Sequence, residues 1–137
     1  MITDAGTGTS VVCSIAPMLS VRNGERAVVF YQSAFGAIEV YRLEDPGGAV
    51  VARLSVAGAE FWLSDESPEH GNFSPESLGG STARMILTVP DPDALFAQAV
   101  AAGATFVQEP LKKDDADKRG GMKDAGGTTW WIATMVE

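Results

Sequence analysis

The sequence predicts an α+β fold built from two copies of a βαβββ module. Three observations support this prediction. The same order of strands and helix can be followed twice along the chain, a Ser-, Pro- and Gly-rich segment separates the two runs, and short likenesses recur at matching places. SVRN before the first predicted helix corresponds to TVPD before the second, and AFGA corresponds to AAGA where the two helices end. Repeats of this size indicate duplicated structural units.

The first module is predicted to occupy residues 13–66. CSIAPMLSV predicts a strand, and Asn23 then caps a helix that stops at Gly36. After the helix, IEVYRLED, AVVARLSVA and AEFWLSDE predict three strands that are separated by glycine-containing turns. The apolar side chains of the helix recur at the i, i+3, i+4, i+7, i+8 spacing of a buried face. They are Ala27, Phe30, Tyr31, Ala34 and Phe35.

A linker at residues 67–81 precedes the second predicted module, at residues 82–137. ARMILTV predicts a strand, and Asp91 caps a helix with Pro92 in its first turn. TFVQEP predicts the next strand, KKDDADKRGG a charged loop, MKD the start of another strand, and TTWWIATMV the final strand. The second module therefore repeats the element order of the first.

The composition indicates a single globular domain over residues 1–137. Hydrophobic residues make up 45% of the chain and charged residues 20%, which is an ordinary globular mixture. Residues 1–12 are expected to form a loose tail, without the basic cluster and apolar segment of a secretion signal. Cys13 is the single cysteine, so an intrachain disulfide is excluded and a cytoplasmic location is expected.

Two classes of partner are excluded by the same data. No stretch approaches the roughly 20 apolar residues of a membrane-spanning helix. The formal net charge of −8 argues against nucleic acid, because Lys and Arg contacts to phosphate dominate that kind of binding. Neither a membrane nor nucleic acid is therefore expected as a partner.

Several segments together resemble the vicinal oxygen chelate superfamily, and more narrowly its glyoxalase-like and bleomycin-resistance-like bacterial proteins. In chain order they are RAVVFYQSAFGA, LSDESPE, SLGGS, DPDALFAQAVAAGA and KRGGMKDAGGTTWWIAT. The resemblance runs from about residue 14 to the C-terminus. It implies the glyoxalase/bleomycin-resistance/dihydroxybiphenyl-dioxygenase fold, in which the paired modules curl around a cleft. It also implies a homodimer, formed either side by side or by exchange of modules.

The resemblance also shows where metal ligands would stand. Enzymes of this superfamily hold a divalent metal with His and Glu from the first and last strands of each module. The corresponding positions carried over to this chain are Ala16, Trp62, Arg84 and Trp131. None of these side chains can ligate a metal, and the nearest acid, Glu60, is displaced by two residues from Trp62. The only histidine, His70, falls in the linker. No metal site, catalytic residue or cofactor is therefore predicted, and a metal-dependent glyoxalase is not expected.

Strand parity indicates which side chains would face the cleft that the resemblance implies. Neighbouring residues on a strand point to opposite faces of the sheet, so Trp130 should face the helices and Trp131 the cleft. Aromatic and aliphatic side chains would form the wall, and Arg84 would pair with an anionic group on the ligand. The predicted ligand-binding residues are Met18, Glu60, Trp62, Arg84, Ile86 and Trp131.

The sequence leaves three possible functions open. The first is a metal-independent small-molecule-binding protein, for which Arg84 favours an anionic ligand although the acidic net charge favours a cationic one. The second is a metal-dependent lyase or dioxygenase that uses Glu60, other carboxylates or a partner chain. The third is a scaffold or interaction protein whose large rings fill the cleft and whose Arg84 pairs with Glu60.

Overall fold

The computed structural model describes residues 2–4, 9–113, 117–124 and 126–135. Within these ranges the chain forms ten strands and three α-helices. The strands are β1 (Ile2–Asp4), β2 (Thr9–Val11), β3 (Met18–Val21), β4 (Ile38–Glu44), β5 (Val50–Val56), β6 (Ala59–Asp65), β7 (Arg84–Thr88), β8 (Thr105–Lys113), β9 (Asp117–Lys123) and β10 (Thr129–Met135). The helices are α1 (Gly24–Phe35), α2 (Pro75–Leu78) and α3 (Pro92–Ala101).

The two modules form four-stranded sheets with the same internal order. The first sheet runs β3-β6-β5-β4 and the second runs β7-β10-β9-β8. In each sheet the first strand of the module pairs in parallel with the last, and the other pairs are antiparallel. The α+β fold of two βαβββ modules is therefore confirmed.

Capping residues mark the ends of the two long helices, α1 and α3. The Asn23 side chain accepts a hydrogen bond from the backbone N–H of Arg26 at 3.0 Å, and Gly36 ends α1 with a φ of 66°. The Asp91 side chain accepts from the backbone N–H of Ala94 at 3.1 Å, with Pro92 in the first turn of α3. Each cap satisfies a donor that the helix itself leaves unpaired.

One hydrophobic core joins both modules. Trp130 of β10 is 3% exposed, and its ring centre lies 5.4 Å from that of Phe61 on β6 and 4.8 Å from that of Phe35 on α1. Tyr31 lies between them, with its ring centre 5.7 Å from that of Trp130 and 5.0 Å from that of Phe61. The predicted inward direction of Trp130 is confirmed, as is the burial of Tyr31 and Phe35 in the helical core.

Two predicted segments differ from the structure. The first strand of module one begins at Met18 rather than Cys13, because Pro17 has no N–H to give to a strand pair. The predicted charged loop KKDDADKRGG is instead mostly the end of β8 and the start of β9, which pair with each other. Pairing with neighbouring strands overrides the weak strand propensity of charged residues here. Asp114 and Asp115 of that loop lie outside the described residues.

The remaining segments are short. Where a loose tail is expected, β1 and β2 pair antiparallel. The linker contains a 3₁₀ turn at Pro68–His70 and the single-turn helix α2. Among the described residues, no helix is both long enough and apolar enough to cross a membrane.

Candidate functional site

A row of four side chains crosses the first sheet at one level. Met18 on β3 is in register with Trp62 on β6, Trp62 with Arg53 on β5, and Arg53 with Tyr41 on β4. Alternate residues along β5 and β6 are buried against the helices, whereas Arg53 and Trp62 are only partly buried. The row therefore lies on the sheet face directed away from the core.

The second sheet has an equivalent row of register positions. Ile86 on β7 is in register with Trp131 on β10, Trp131 with Gly121 on β9, and Gly121 with Gln108 on β8. Leu87 and Trp130 beside this row are buried, whereas Ile86 is 72% exposed. The two tryptophans thus occupy corresponding places in the two modules, and Gly121 corresponds to Arg53.

Arg53 and Trp62 form a cation–aromatic contact in the first row. The guanidinium carbon of Arg53 lies 5.4 Å from the centre of the Trp62 ring. The Tyr41 ring meets Trp62 edge-on at 5.6 Å. Arg53 Nε lies 3.4 Å from Glu60 Oε1, but the geometry is not that of a hydrogen bond, and this buried nitrogen has no hydrogen-bond partner among the described residues.

Trp131 lies over the backbone of the neighbouring strand. A Cβ placed on Gly121 would come within 3.1 to 3.4 Å of three carbons of the Trp131 ring. The absence of a side chain at Gly121 therefore leaves room for the indole. Trp131 Nε1 is buried and lacks a hydrogen-bond partner within the part of the chain that the structure describes.

The structure divides the predicted site residues into two groups. Met18, Glu60 and Trp62 lie on the outer face of the first sheet. The predicted residues of the second module lie on the corresponding face of the second sheet: Arg84, Ile86 and Trp131. A cavity of about 220 Å³ between β3 and β7 is lined by Met18 but by neither tryptophan. A single cleft that joins both groups stays a prediction.

The charged members of the predicted site do not contact each other. Glu60 lies against Arg53, and no ion pair joins Glu60 to Arg84 among the described residues. Arg84 is exposed at the start of β7, in register with Thr129. Arg84 and Glu60 therefore do not form the ion pair of the filled-cleft alternative.

Sequence reasoning missed Arg53 and Tyr41, although a signal for Arg53 was present. The loop between β5 and β6 has two residues, Ala57 and Gly58, both with positive φ. Two-residue loops of this kind fix the register of a hairpin. Counting back from the pair Val56 and Ala59 places Arg53 opposite Trp62.

A buried carboxylate, also missed, holds the loop before β10. Asp124 accepts hydrogen bonds from Trp130 Nε1 at 2.8 Å, from the Tyr31 hydroxyl, and from the backbone N–H groups of Gly126 and Thr128 at 2.9 and 3.0 Å. Burial raises the pKa of Asp124 above its usual value despite these four donors. Burial, followed by the charge of Asp124, also raises the pKa of Tyr31. The indole N–H of Trp130 thus has the buried partner that Trp131 lacks.

The family follows from a match over most of the chain. The family model of the Glyoxalase/Bleomycin resistance protein/Dioxygenase superfamily matches residues 14–132. The chain belongs to this superfamily. The match begins four residues before β3 and ends within β10, so it spans both four-stranded sheets.

Similar proteins occur in bacteria and plants. An uncharacterized protein of Mycobacterium tuberculosis is 35% identical over 127 residues, which are 90% of this chain and 75% of the relative. The solved structure of a gene product from Arabidopsis thaliana has a TM-score of 0.66 and 32% identity, and covers 94% of this chain and 100% of its own. TioX from Micromonospora sp. ML1 has a TM-score of 0.69 with 22% identity, and covers 91% of this chain and 98% of its own. The likeness to TioX shows the fold alone.

The described residues do not fit the metal site of the superfamily's enzymes. No three His, Cys, Asp or Glu side chains come together among the described residues in a way that could hold an ion. The places carried over for ligands hold Trp62, Arg84 and Trp131, and Ala16 precedes β3. Arg53 adds a cation beside Glu60, the acid nearest to those places.

Proposed function

We propose that this superfamily member is a metal-independent small-molecule-binding protein whose ligand contacts the tryptophan-bearing faces of the two sheets. One observation carries the proposal. Trp62 and Trp131 occupy corresponding positions, on faces directed away from the core. Arg53 Nε beside Trp62 and the indole Nε1 of Trp131 are both buried and have no hydrogen-bond partner among the described residues. Binding sites are mostly apolar with a few polar groups that fix orientation. A buried donor without an acceptor is costly, and a ligand acceptor would remove that cost.

The two alternatives have less support. A metal-dependent lyase or dioxygenase would need Glu60, whose carboxylate lies 3.4 Å from the Arg53 guanidinium. A fixed cation at that distance disfavours a divalent metal. A filled cleft is favoured by the packing of Trp131 on Gly121. It is disfavoured by the exposure of Met18 at 52% and Ile86 at 72%, since both would be buried if the faces closed on themselves.

A homodimer belongs to the same proposal. Exposed apolar side chains lie on the sheet faces and also on the segment before β3, where Val12 and Ile15 are 71% and 98% exposed. Exposed apolar surface of this kind marks interaction sites, and a second copy of this chain would cover part of it. Side-by-side and module-exchanged arrangements both remain compatible with this surface. A cytoplasmic location, with no nucleic acid or membrane partner, completes the proposal.

Thermal unfolding of chelator-treated protein tests the proposed function. A panel of small aromatic acids, amides and amines is added, each with and without Ni²⁺, Co²⁺, Mn²⁺, Zn²⁺ or Fe²⁺. A ligand at 100 times its dissociation constant stabilises the fold by about 2.7 kcal/mol, which raises the melting temperature of a domain this size by several degrees. We expect such a rise with at least one compound, independent of metal.

Three variants locate the effect. Trp62→Leu and Trp131→Leu should each reduce the rise, whereas Val29→Ala, on the exposed side of α1, should preserve it. Stabilisation by a metal alone, at one ion per chain and lost in Glu60→Gln, would contradict the proposal and favour the metalloenzyme. No stabilisation by any compound would favour the scaffold.

A further inference from the structure

The geometry points to Arg53, rather than Arg84, as the residue that binds an acidic group of the ligand, and to a planar aromatic acid as the ligand class. This inference rests on the proposed function and specifies the chemistry of the first sheet's half of the site. It differs from the sequence-based prediction, in which Arg84 has this role.

Arg53 is held in place before any ligand arrives. Its guanidinium lies 5.4 Å from the Trp62 ring centre, and Tyr41 contacts the same ring at 5.6 Å. Arg53 also lies in the middle of β5, between two paired strands. A guanidinium that stacks on an aromatic ring loses less conformational entropy on binding than one that moves freely in solvent.

The outer part of the guanidinium is available for an oxyanion. The ionic contact that joins Arg53 to Glu60 has Nε 3.4 Å from Glu60 Oε1. The Arg53 side chain is 40% exposed, and no hydrogen bond joins its terminal nitrogens to a described residue. Two parallel N–H groups in this fork match the two oxygens of a carboxylate.

Apolar surface flanks this charge on both sides of the row. Tyr41 is 46% exposed and Met18 is 52% exposed, and Trp62 lies between Met18 and Arg53 in the strand register. An acid with a planar aromatic body can therefore pair with Arg53 while its body covers Trp62 or Tyr41. A small inorganic anion would leave that apolar surface uncovered and gain only the charge interaction.

Arg84 lacks each of these features. It is the exposed first residue of β7, and its side chain makes no ion pair or cation–aromatic contact with a described residue. Its neighbour on β10 is Thr129 rather than Trp131. Ordering this exposed side chain would cost more conformational entropy than using one that already lies over an aromatic ring.

Two probes of the same shape separate charge from apolar contact. Naphthalene-2-carboxylate is an anionic aromatic acid, and naphthalene-2-carboxamide is its neutral counterpart. Dissociation constants of both are measured by isothermal titration calorimetry on chelator-treated, full-length protein. We expect the carboxylate to bind the wild type about tenfold more tightly than the amide, the lower end of what charge-assisted hydrogen bonds contribute.

The variants assign the preference to one arginine. Arg53→Gln should remove the tenfold preference and leave amide binding within about twofold, and Arg53→Lys should retain part of it because charge remains without the fork. Arg26→Gln, an exposed arginine on α1, is the matched control and should retain the full preference. Melting temperatures measured alongside establish that each variant is folded.

The possible failures are distinguishable. Loss of the preference in Arg84→Gln with retention in Arg53→Gln would overturn the assignment to Arg53 and leave the proposed function standing. Equal affinity for both probes in the wild type would overturn the acidic ligand class alone. Saturable binding of neither probe would overturn the inference, and the panel of the unfolding assay then decides whether the proposed function falls with it.

Discussion

Trp130 and Trp131 are neighbours in the chain, yet their indole rings have different surroundings. Trp130 is 3% exposed and donates to the buried carboxylate of Asp124. Trp131 lies over Gly121 on the opposite face, with its Nε1 unpartnered among the described residues. The alternation of side chains along β10 explains both environments, because one face of the sheet packs on the helices and the other face does not. One ring therefore packs in the core, and the other lies on the sheet face that we propose contacts a ligand.

Gly121 should be energetically coupled to Trp131. In Gly121→Ala, the added methyl group would displace the indole. We expect this to lower the free energy of unfolding by about 1–3 kcal/mol. In a Trp131→Leu background the ring is absent, and the same substitution should be neutral or stabilising by up to about 1 kcal/mol, because alanine restricts the unfolded chain. A double-mutant cycle by urea unfolding should give a coupling free energy of at least about 1 kcal/mol. Simple additivity would show that the ring does not rest on Gly121.

Gly24 is a second position where space is decisive. Its backbone N–H donates to Asp65 Oδ1 at 2.7 Å, and a Cβ on Gly24 would collide with that oxygen and come within 3.1 Å of Val50 Cβ. Gly24→Ala should lower the free energy of unfolding by about 1–3 kcal/mol, measured by urea unfolding. Gly80→Ala is the control, since nothing lies within 4 Å of that Cβ. Equal effects at the two glycines would contradict this account.

At the scale of elements, the loop between β9 and β10 depends on one carboxylate. The Asp124 oxygens satisfy two backbone donors of the loop and two donors of the core, Tyr31 and Trp130. Asp124→Asn would turn an amide NH₂ towards the two core donors and leave at least one of them without an acceptor. The free energy of unfolding should fall by about 1–3 kcal/mol as a result. Asp45→Asn is the matched control. Asp45 accepts from Gly47 and Ala49 in an exposed turn, which asparagine also supports.

The pH dependence of that substitution has a definite sign. Burial raises the pKa of Asp124 in the folded protein above the usual 3.8, so the folded state binds this proton more tightly than the unfolded state. The stability from this group is then fully present below pH 3.8 and is lost as pH rises through the folded pKa. The stability advantage of wild type over Asp124→Asn, measured by urea unfolding at a series of pH values, should therefore shrink with rising pH. An advantage that grows with pH would mean that the four donors outweigh burial.

Elements could be predicted from the sequence where local signals are strong. Asn23, Gly36 and Asp91 mark helix ends by their own chemistry, and the alternation in β5 and β6 separates core from outer face. The extended β8–β9 pair could not be predicted, because its charged residues become strand only through pairing with neighbours. The contact between Arg53 and Trp62 depends on hairpin register, which the two-residue loop sets but hydrophobicity does not reveal.

At the scale of the whole molecule, the chain's two modules are alike in topology but different in chemistry. At corresponding places one sheet carries Arg53 beside Trp62, and the other carries Gly121 beneath Trp131. A ligand that contacts both sheets would meet a cation at one end and an indole donor at the other. Duplication explains why the fold could be predicted from repeated segments, whereas the divergence between the modules had to be read from the structure.

A homodimer should form through the exposed apolar surface. Sedimentation equilibrium should give twice the 14.4 kDa chain mass at micromolar concentration. Ile15→Asp, which puts a charge on the 98% exposed side chain before β3, should weaken the dimer, and Val29→Asp on α1 should not. A wild-type mass of one chain at these concentrations would contradict the dimer.

The three tryptophans allow the most direct test of an organic ligand bound without metal. ¹⁵N-labelled protein in chelator should show three indole N–H resonances, which Trp→Phe variants assign to Trp62, Trp130 and Trp131. During titration with naphthalene-2-carboxylate, we expect saturable shifts of the Trp62 and Trp131 resonances, while the resonance of Trp130, which is hydrogen-bonded to buried Asp124, stays in place. A saturable shift of Trp130 alone, or no shift until a divalent metal is added, would contradict it.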